Sequence, residues 1–445
     1  MYDLAMSNTP ETVAIVSLGC PKNLVDSEKL CANLAEAGYV IGAPMDEADV
    51  ILINTCGFLQ AAREESLEVI REAVACKEQG PARCVIVAGC LVNRDGEALL
   101  GTIPGIDAVV GVNDRDAIAV AVEATAPKVL LSPAGPAGDD RGRFRLTAPH
   151  TAFLRVAEGC DHRCTFCTIP DIRGPFRSKP LDRVLTEARE LAESGAVELN
   201  IIAQDTTSYG LDLPGQPTLA SMLRELETLD SVAWIRLMYA YPNNFTDELI
   251  DVMAGSSRIV PYVDMPLQHI ADGVLKRMGR RITRSEIERL LNRLREAMPD
   301  MTIRTTFIVG FPGETAEQFA ELLQFVEEFE FDAMGAFAYS PEPGTPAAKL
   351  DDQIADAIKA QRLEQIMLAQ QAIAFDVNEG AVGQTIDVLV DGVDNAGTGI
   401  ARHCGQAPEI DSVCLLGAPA PVGKIVPVEI IGWQDYDLIA QPLSS

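Results

Sequence analysis

The sequence has no apolar run long enough to cross a membrane, and stretches such as Val13 to Val16 are only strand-length. Residues Met1 to Thr12 carry Asp3 and Glu11 and lack the basic, apolar pattern of an export signal. Internal repeats and low-complexity tracts are missing as well. These absences argue against spanning, exported and repetitive architectures and lead to the expectation of a cytoplasmic protein with no membrane partner. Basic residues are scarce: 36 Lys and Arg stand against 65 Asp and Glu, for a formal net charge of −29. So acidic a surface repels nucleic-acid phosphates and attracts basic partners, so direct tRNA binding is not expected.

What is present is an ordinary globular composition, 47% hydrophobic and 23% charged, in a chain of 445 residues. That length exceeds what one core organises and suggests two or three domains. Apolar runs at Val13–Leu18, Val50–Ile53, Cys84–Ala88 and Ala108–Val112 read as buried parallel strands. Helical patterns such as Asp26–Ala37 and Leu59–Lys77 separate them, which predicts an open α/β sheet over 1–131. A Pro- and Gly-rich stretch predicts a linker over 132–149.

Six further strands are expected over 150–380: Ala152–Ala157, Leu199–Ala203, Trp234–Tyr239, Tyr262–Met265, Thr302–Val309 and Met334–Tyr339. With the helical patterns between them they make a partial, TIM-like (βα)6 barrel whose site belongs at the C-terminal strand ends. A long helix, about Asp352 to Val377, closes it. Over 381–445 short strands broken by glycines, Thr385–Val390, Ser412–Leu416 and Ile425–Ile431, predict a small antiparallel β-barrel. The fold class is therefore α/β multidomain.

The chain has 11 cysteines, and without an export signal that number points to metal binding or catalysis more than to disulfides. Cys160-Asp-His-Arg-Cys164-Thr-Phe-Cys167 follows the first barrel strand. Three thiolates in one loop hold three irons of a 4Fe–4S cube and leave the fourth iron open. Zinc is the alternative, with His162 inside the loop as a fourth ligand, although zinc cysteines usually come as two separated pairs. The spacing and its place in the barrel resemble the radical S-adenosylmethionine superfamily, in which the aromatic residue at the position of Phe166 packs near the adenine.

Cys20, Cys56 and Cys90 each follow a predicted parallel strand, with Gly19, Gly57 and Gly89 beside them. Ligands bind beyond such strand ends, and three equivalent thiols there suggest a second iron–sulfur cluster. Buried, space-filling cysteine explains one such position well but three poorly. It is the preferred account of Cys31, Cys76, Cys84, Cys404 and Cys414.

Taken together, these residues resemble the methylthiotransferases, with an N-terminal three-cysteine domain, a radical S-adenosylmethionine barrel and a C-terminal TRAM barrel. The stretch Ser17-Leu-Gly-Cys-Pro-Lys-Asn-Leu-Val-Asp-Ser-Glu28 looks like the branch acting on a ribosomal protein rather than on tRNA. Asp264-Met-Pro-Leu-Gln-His269, Gly310-Phe-Pro-Gly-Glu314 and Ala407-Pro-Glu-Ile-Asp411 fit that branch. The resemblance implies two 4Fe–4S clusters, S-adenosylmethionine as radical source and methyl donor, and methylthiolation of an aspartate β-carbon in small-subunit ribosomal protein twelve, free or on the ribosome. A reductant such as flavodoxin or ferredoxin is implied too.

Residues 381–445 hold only Arg402 and Lys424 against eight acidic residues, which suits a basic protein partner better than RNA. Backbone amides of Gly310 and Gly313, with Glu314, are expected near the cofactor; Gln204, Asp205 and Gln268 follow strand ends and are candidates for the same mouth. A tRNA methylthiotransferase and a non-enzymatic iron–sulfur electron carrier remain the competing readings.

Overall fold

The structure, a computed structural model, describes residues 10–443; residues 1–9 and 444–445, at the outer ends of the first and last expected domains, lie outside the described residues. The chain forms two compact units. One comprises the described residues up to Leu146 with Glu158–His162 and Cys167–Arg177; the other comprises Thr147–Ala157, Arg163–Phe166 and the described chain from Ser178 onward.

The first unit is built on a six-stranded parallel sheet: β1 (Thr12–Ser17), β2 (Val40–Ile41), β3 (Val50–Thr55), β4 (Cys84–Gly89), β5 (Ala108–Val110) and β6 (Lys128–Leu130), in the order 2-1-3-4-5-6. Every residue of β3 and β4 is buried, the mark of parallel strands covered on both faces. Ile51, Ile53, Val85 and Val87 pack with Ile70 and Ala73 of helix α2 (Gln60–Gln79), whereas Leu52 and Ile86 pack with Leu30 and Leu34 of α1 (Pro21–Glu36). The order places the chain reversal beside β1 and β3, and the pairings Ser17↔Asn54 and Thr55↔Gly89 bring the C-terminal ends of β1, β3 and β4 level. A ligand crevice is expected there.

Residues 132–146 carry no regular structure yet are pinned to this unit. Arg143 pairs with Glu28 at 3.1 Å, and Arg115 pairs with Asp140 at 2.5 Å.

In the second unit, β7 (Thr151–Arg155), β8 (Glu198–Ile202), β9 (Trp234–Leu237), β10 (Ile259–Asp264), β11 (Thr302–Val309) and β12 (Ala333–Ala338) pair in parallel and in sequential order, as a partial (βα)6 barrel requires. The long helix runs over Asp356–Ala381.

A closed five-stranded barrel follows: β13 (Thr385–Val393), β14 (Gly399–His403), β15 (Cys414–Leu416), β16 (Ile425–Gln434) and β17 (Asp437–Pro442). It departs from the antiparallel expectation in one pairing, since β15 and β17 run parallel.

Buried charge joins this barrel to the larger one. Arg402 reaches Glu198 at 2.8 Å and Asp391 at 2.7 Å; Asp391 meets His150 at 3.0 Å. Arg236 also donates to Glu198, at 3.0 Å. Alongside, Asp411 accepts from Arg304 Nε (3.1 Å) and Tyr262 Oη (2.8 Å). Burial works to raise the Glu198 carboxyl, but Arg402 and Arg236 outweigh it and hold it below its usual range. Here the structure corrects the charge argument: Arg402, Asp391 and Asp411 are internal joints.

Candidate functional site

The segment from Ser17 to Glu28 folds so that α1 buries polar residues. Pro21 starts the helix at a position where its missing N–H costs nothing, and Cys20 is the N-cap. Lys22, Asn23, Asp26, Ser27 and Glu28 are all buried. Asn23 knits the strand ends: its Nδ2 donates to Leu18 O (2.6 Å) and Thr55 O (3.1 Å), while its own carbonyl accepts from Asn54 Nδ2 (2.7 Å). Asn54 Nδ2 also donates to Ser27 Oγ at 2.8 Å, and Ser27 Oγ lies 2.7 Å from Ser17 Oγ.

On this frame Cys20 caps α1, Cys56 follows β3 and Cys90 follows β4, so that all three stand beyond the level strand ends. A Cβ on Gly19, whose φ is +93°, would lie 2.9 Å from Cys56 Cβ and 3.2 Å from its sulfur, so only glycine lets the two segments close. Cys56 is fixed by Ser66, whose Oγ accepts the Cys56 N–H at 3.1 Å and donates to its carbonyl at 2.9 Å. Cys90 opens helix α3 (Cys90–Asp95) straight after β4.

Burial pushes the Cys90 thiol up to about 12 and raises that of Cys56. Cys20 goes the other way. Burial opposes ionisation, but Lys22, Arg173 and the N–H groups of Asn23 and Lys22 prevail and lower it. Cys56 feels the charge of Cys20, and Cys90 feels that of both Cys20 and Cys56. Three sulfur donors at level strand ends, with a cation among them, fit an iron–sulfur cluster.

One member of this site was not anticipated. Arg173 ends helix α4 (Ile169–Arg173), just beyond the Cys160–Cys167 loop. Its Nη2 donates to Cys90 Sγ at 3.2 Å and Asn23 Oδ1 at 3.1 Å; its Nη1 contacts Asp26 at 2.8 Å and Glu158 at 3.2 Å. The available signal was a lone arginine, closed off by Gly174, six residues after the last cysteine of the motif.

The cysteine loop itself is non-helical, with Cys160, Cys164 and Cys167 each half-buried. Cys160 N–H donates to Gly174 O (3.1 Å), and Cys167 Sγ accepts from Ile169 N–H (3.4 Å). In the second unit Thr165 holds the barrel rim, donating from N to Met278 O (2.9 Å) and from Oγ1 to Arg277 O (2.8 Å). Three thiols within eight residues suit the expected cluster by donor chemistry.

Phe166 packs edge-on to Phe311, with centroids 6.4 Å apart, in an apolar cluster with Met278 and Tyr339.

Gly310–Glu314 forms a loop tied together by its own groups. Glu314 is fully buried and its Oε2 accepts from the Gly310 N–H (2.8 Å) and the Phe311 N–H (3.2 Å), while Arg362 holds Oε1 at 2.7 Å. Gly313 N–H donates to Asp352 O at 2.7 Å, and a Cβ on Gly313 would clash with Asp352 and Arg277. These amides and this carboxylate shape the loop after β11.

Gln268 adopts φ +72° and extends the sheet, its N–H donating to Thr306 O (2.8 Å) and its carbonyl accepting from Ile308 N–H (2.8 Å). Gln204 is half-buried just past β8. Asp205 turns into its own loop, accepting from the N–H and Oγ1 of Thr207.

Comparison with known proteins agrees with this layout. Residues 154–326 match the Radical SAM superfamily, residues 12–111 an otherwise uncharacterized protein family (UPF0004), and residues 382–443 the TRAM domain. Two proteins named ribosomal protein uS12 methylthiotransferase RimO are each 44% identical to the chain. That of Geobacter sulfurreducens aligns over 99% of this chain and 100% of its own length; that of Pelotomaculum thermopropionicum aligns over 96% and 98%. Among solved structures, the radical S-adenosylmethionine methyltransferase TsrM of Kitasatospora setae superposes with a TM-score of 0.57 at 17% identity, over 76% of this chain and 77% of that one. At that identity the match speaks for the fold.

Proposed function

The chain belongs to the RimO family of ribosomal protein uS12 methylthiotransferases, radical S-adenosylmethionine enzymes, and from that premise we propose that it replaces a hydrogen on the β-carbon of a uS12 aspartate with a methylthio group. The observation that carries the reading is the convergence of Cys20, Cys56 and Cys90 at three level strand ends, in a chain that also bears the Cys160–Cys164–Cys167 loop. An unactivated C–H bond releases no proton at neutral pH, so acid–base chemistry is inadequate and radical chemistry is required.

Cys160, Cys164 and Cys167 would hold a cluster able to supply the electron for cleavage of S-adenosylmethionine, and Cys20, Cys56 and Cys90 would hold a second one able to supply sulfur. The chain's own residues hold and shelter these reagents. Phe166, backed by Phe311, offers an apolar wall at the mouth of the partial barrel. Phe311, Met278 and Tyr339 are buried beneath it and keep water out. Lys22, Arg173 and the first N–H groups of α1 favour the thiolate of Cys20, the form that binds iron.

Among the described residues no helix is long and apolar enough to cross a membrane, and we place the reaction in the cytoplasm, with a flavodoxin or ferredoxin as reductant. The acidic surface suits uS12 as a basic partner, met free or on the ribosome.

Iron counting tests the cluster assignment. Anaerobically reconstituted protein is expected to hold about eight irons per chain, and about four when either cysteine trio is changed to alanine. Equal iron in the Cys20/Cys56/Cys90 variant and the parent would contradict the second site.

A further inference from the structure

We propose that Arg173 is the positioning residue of the Cys20–Cys56–Cys90 site: its guanidinium orients the Cys90 sulfur, offsets part of the charge that three thiolates bring into a buried place, and so sets the reduction potential of the cluster they hold. The inference rests on reading those cysteines as a cluster site.

The geometry is directional. Arg173 is 2% exposed, and its two terminal nitrogens have different tasks. Nη1 faces carboxylates, Asp26 at 2.8 Å and Glu158 at 3.2 Å, which together hold the guanidinium plane. Nη2 points the other way, to Cys90 Sγ at 3.2 Å and Asn23 Oδ1 at 3.1 Å. An arginine serving only to neutralise Asp26 and Glu158 has no need to aim its second nitrogen at a thiol.

Asp26 is itself shared with Arg115 at 3.1 Å, so Arg173 is not its sole counter-charge. Hydrogen bonds to cluster sulfurs and nearby charge set iron–sulfur potentials, and groups behind the ligands hold them in place. Removing a cation and an N–H···S bond stabilises the more positive, oxidised state. The potential must therefore fall.

The test uses full-length protein with Cys160, Cys164 and Cys167 changed to alanine, so that only the second cluster is observed after anaerobic reconstitution. Redox titration followed by electron paramagnetic resonance, with iron loss to a chelator, compares Arg173 with Arg173→Gln and Arg173→Lys. Arg173→Gln is expected to change the oxidised-to-reduced ratio at a fixed potential at least tenfold toward oxidised, about 59 mV for one electron. Iron loss is expected to quicken.

Arg173→Lys keeps the charge but not the fork and is expected to recover most of the potential while still losing iron faster than the parent. Should Arg173→Gln fail to fold by circular dichroism, the lysine variant carries the test through its iron loss. Potential and iron retention unchanged in the folded variants overturn the role of Arg173 and leave the cluster assignment standing. No iron in the parent with Arg173 intact overturns the cluster assignment itself.

Discussion

At the residue scale, the site depends on side chains whose roles differ greatly in how visible they are. The six cysteines proposed as cluster ligands stand out in the sequence because thiol chemistry is written in residue type, and their positions repeat a pattern: three in one loop, three after strands. Asn23 and Arg173 do not stand out, because amide and guanidinium groups are common and only tertiary contact gives these two their task.

Glu314 has internal partners that its sequence position does not display. A carboxylate in a Gly–Pro loop after a strand looked available, yet in the fold it accepts two backbone N–H groups and one arginine. Asn23→Ala removes donors to Leu18 and Thr55 and leaves buried carbonyls without them, which costs about 1–3 kcal/mol. We expect thermal unfolding to show that loss, with quicker iron release from the second cluster than from the first.

At the element scale, strands and helices with long periodic patterns were read nearly to their ends. The strand expected at Thr302–Val309 runs over those residues, and the long helix expected at about Asp352 to Val377 runs over Asp356–Ala381. Missed elements include β2 with two residues, β6 with three, β14, which opens on Gly399, and β17. Packing, not propensity, makes them strands.

Helix α1 was placed late, at Asp26, because its first turn is polar. Those polar residues are buried for the sake of the strand ends, a reason no periodicity displays. The helix Ala316–Phe329 is held by a reciprocal cap, in which Gln318 N–H donates to Thr315 Oγ1 (3.2 Å) and Gln318 Oε1 accepts from Thr315 N–H (3.1 Å). Thr315→Ala should cost about 1 kcal/mol in denaturant unfolding. No measurable change would remove the cap from the account.

At the scale of the whole molecule, net charge proved a blunter guide than the motifs. The deficit of basic residues is real, but part of the charge on the C-terminal barrel is internal, locking it to the larger barrel through Arg402, Glu198 and Asp391. Arg402→Met leaves Glu198 and Asp391 buried with less compensation, and losses of about 3–5 kcal/mol are typical of such broken pairs. Limited proteolysis is expected to free the C-terminal barrel first.

The same joint carries a pH response. Burial, aided by Arg236 and Arg402, pulls His403 down to about 4, and its Nδ1 accepts the Gly405 N–H at 3.0 Å. The unfolded chain takes up that proton from about pH 6.5 downward, the folded one only near 4. Stability is thus expected to decline as pH falls across that window, by at most about 1.4 kcal/mol per pH unit from this group. His403→Asn should flatten the slope in chemical denaturation.

The central claim, methylthiolation of a ribosomal protein aspartate, is tested most directly by competition. Anaerobically reconstituted enzyme would receive S-adenosylmethionine, a strong reductant, sulfide, a uS12 peptide and isopentenylated tRNA in one reaction, with products read by mass spectrometry. A methylthio adduct confined to the peptide's aspartate is the result predicted. An adduct on the tRNA alone would keep the chemistry and contradict the substrate.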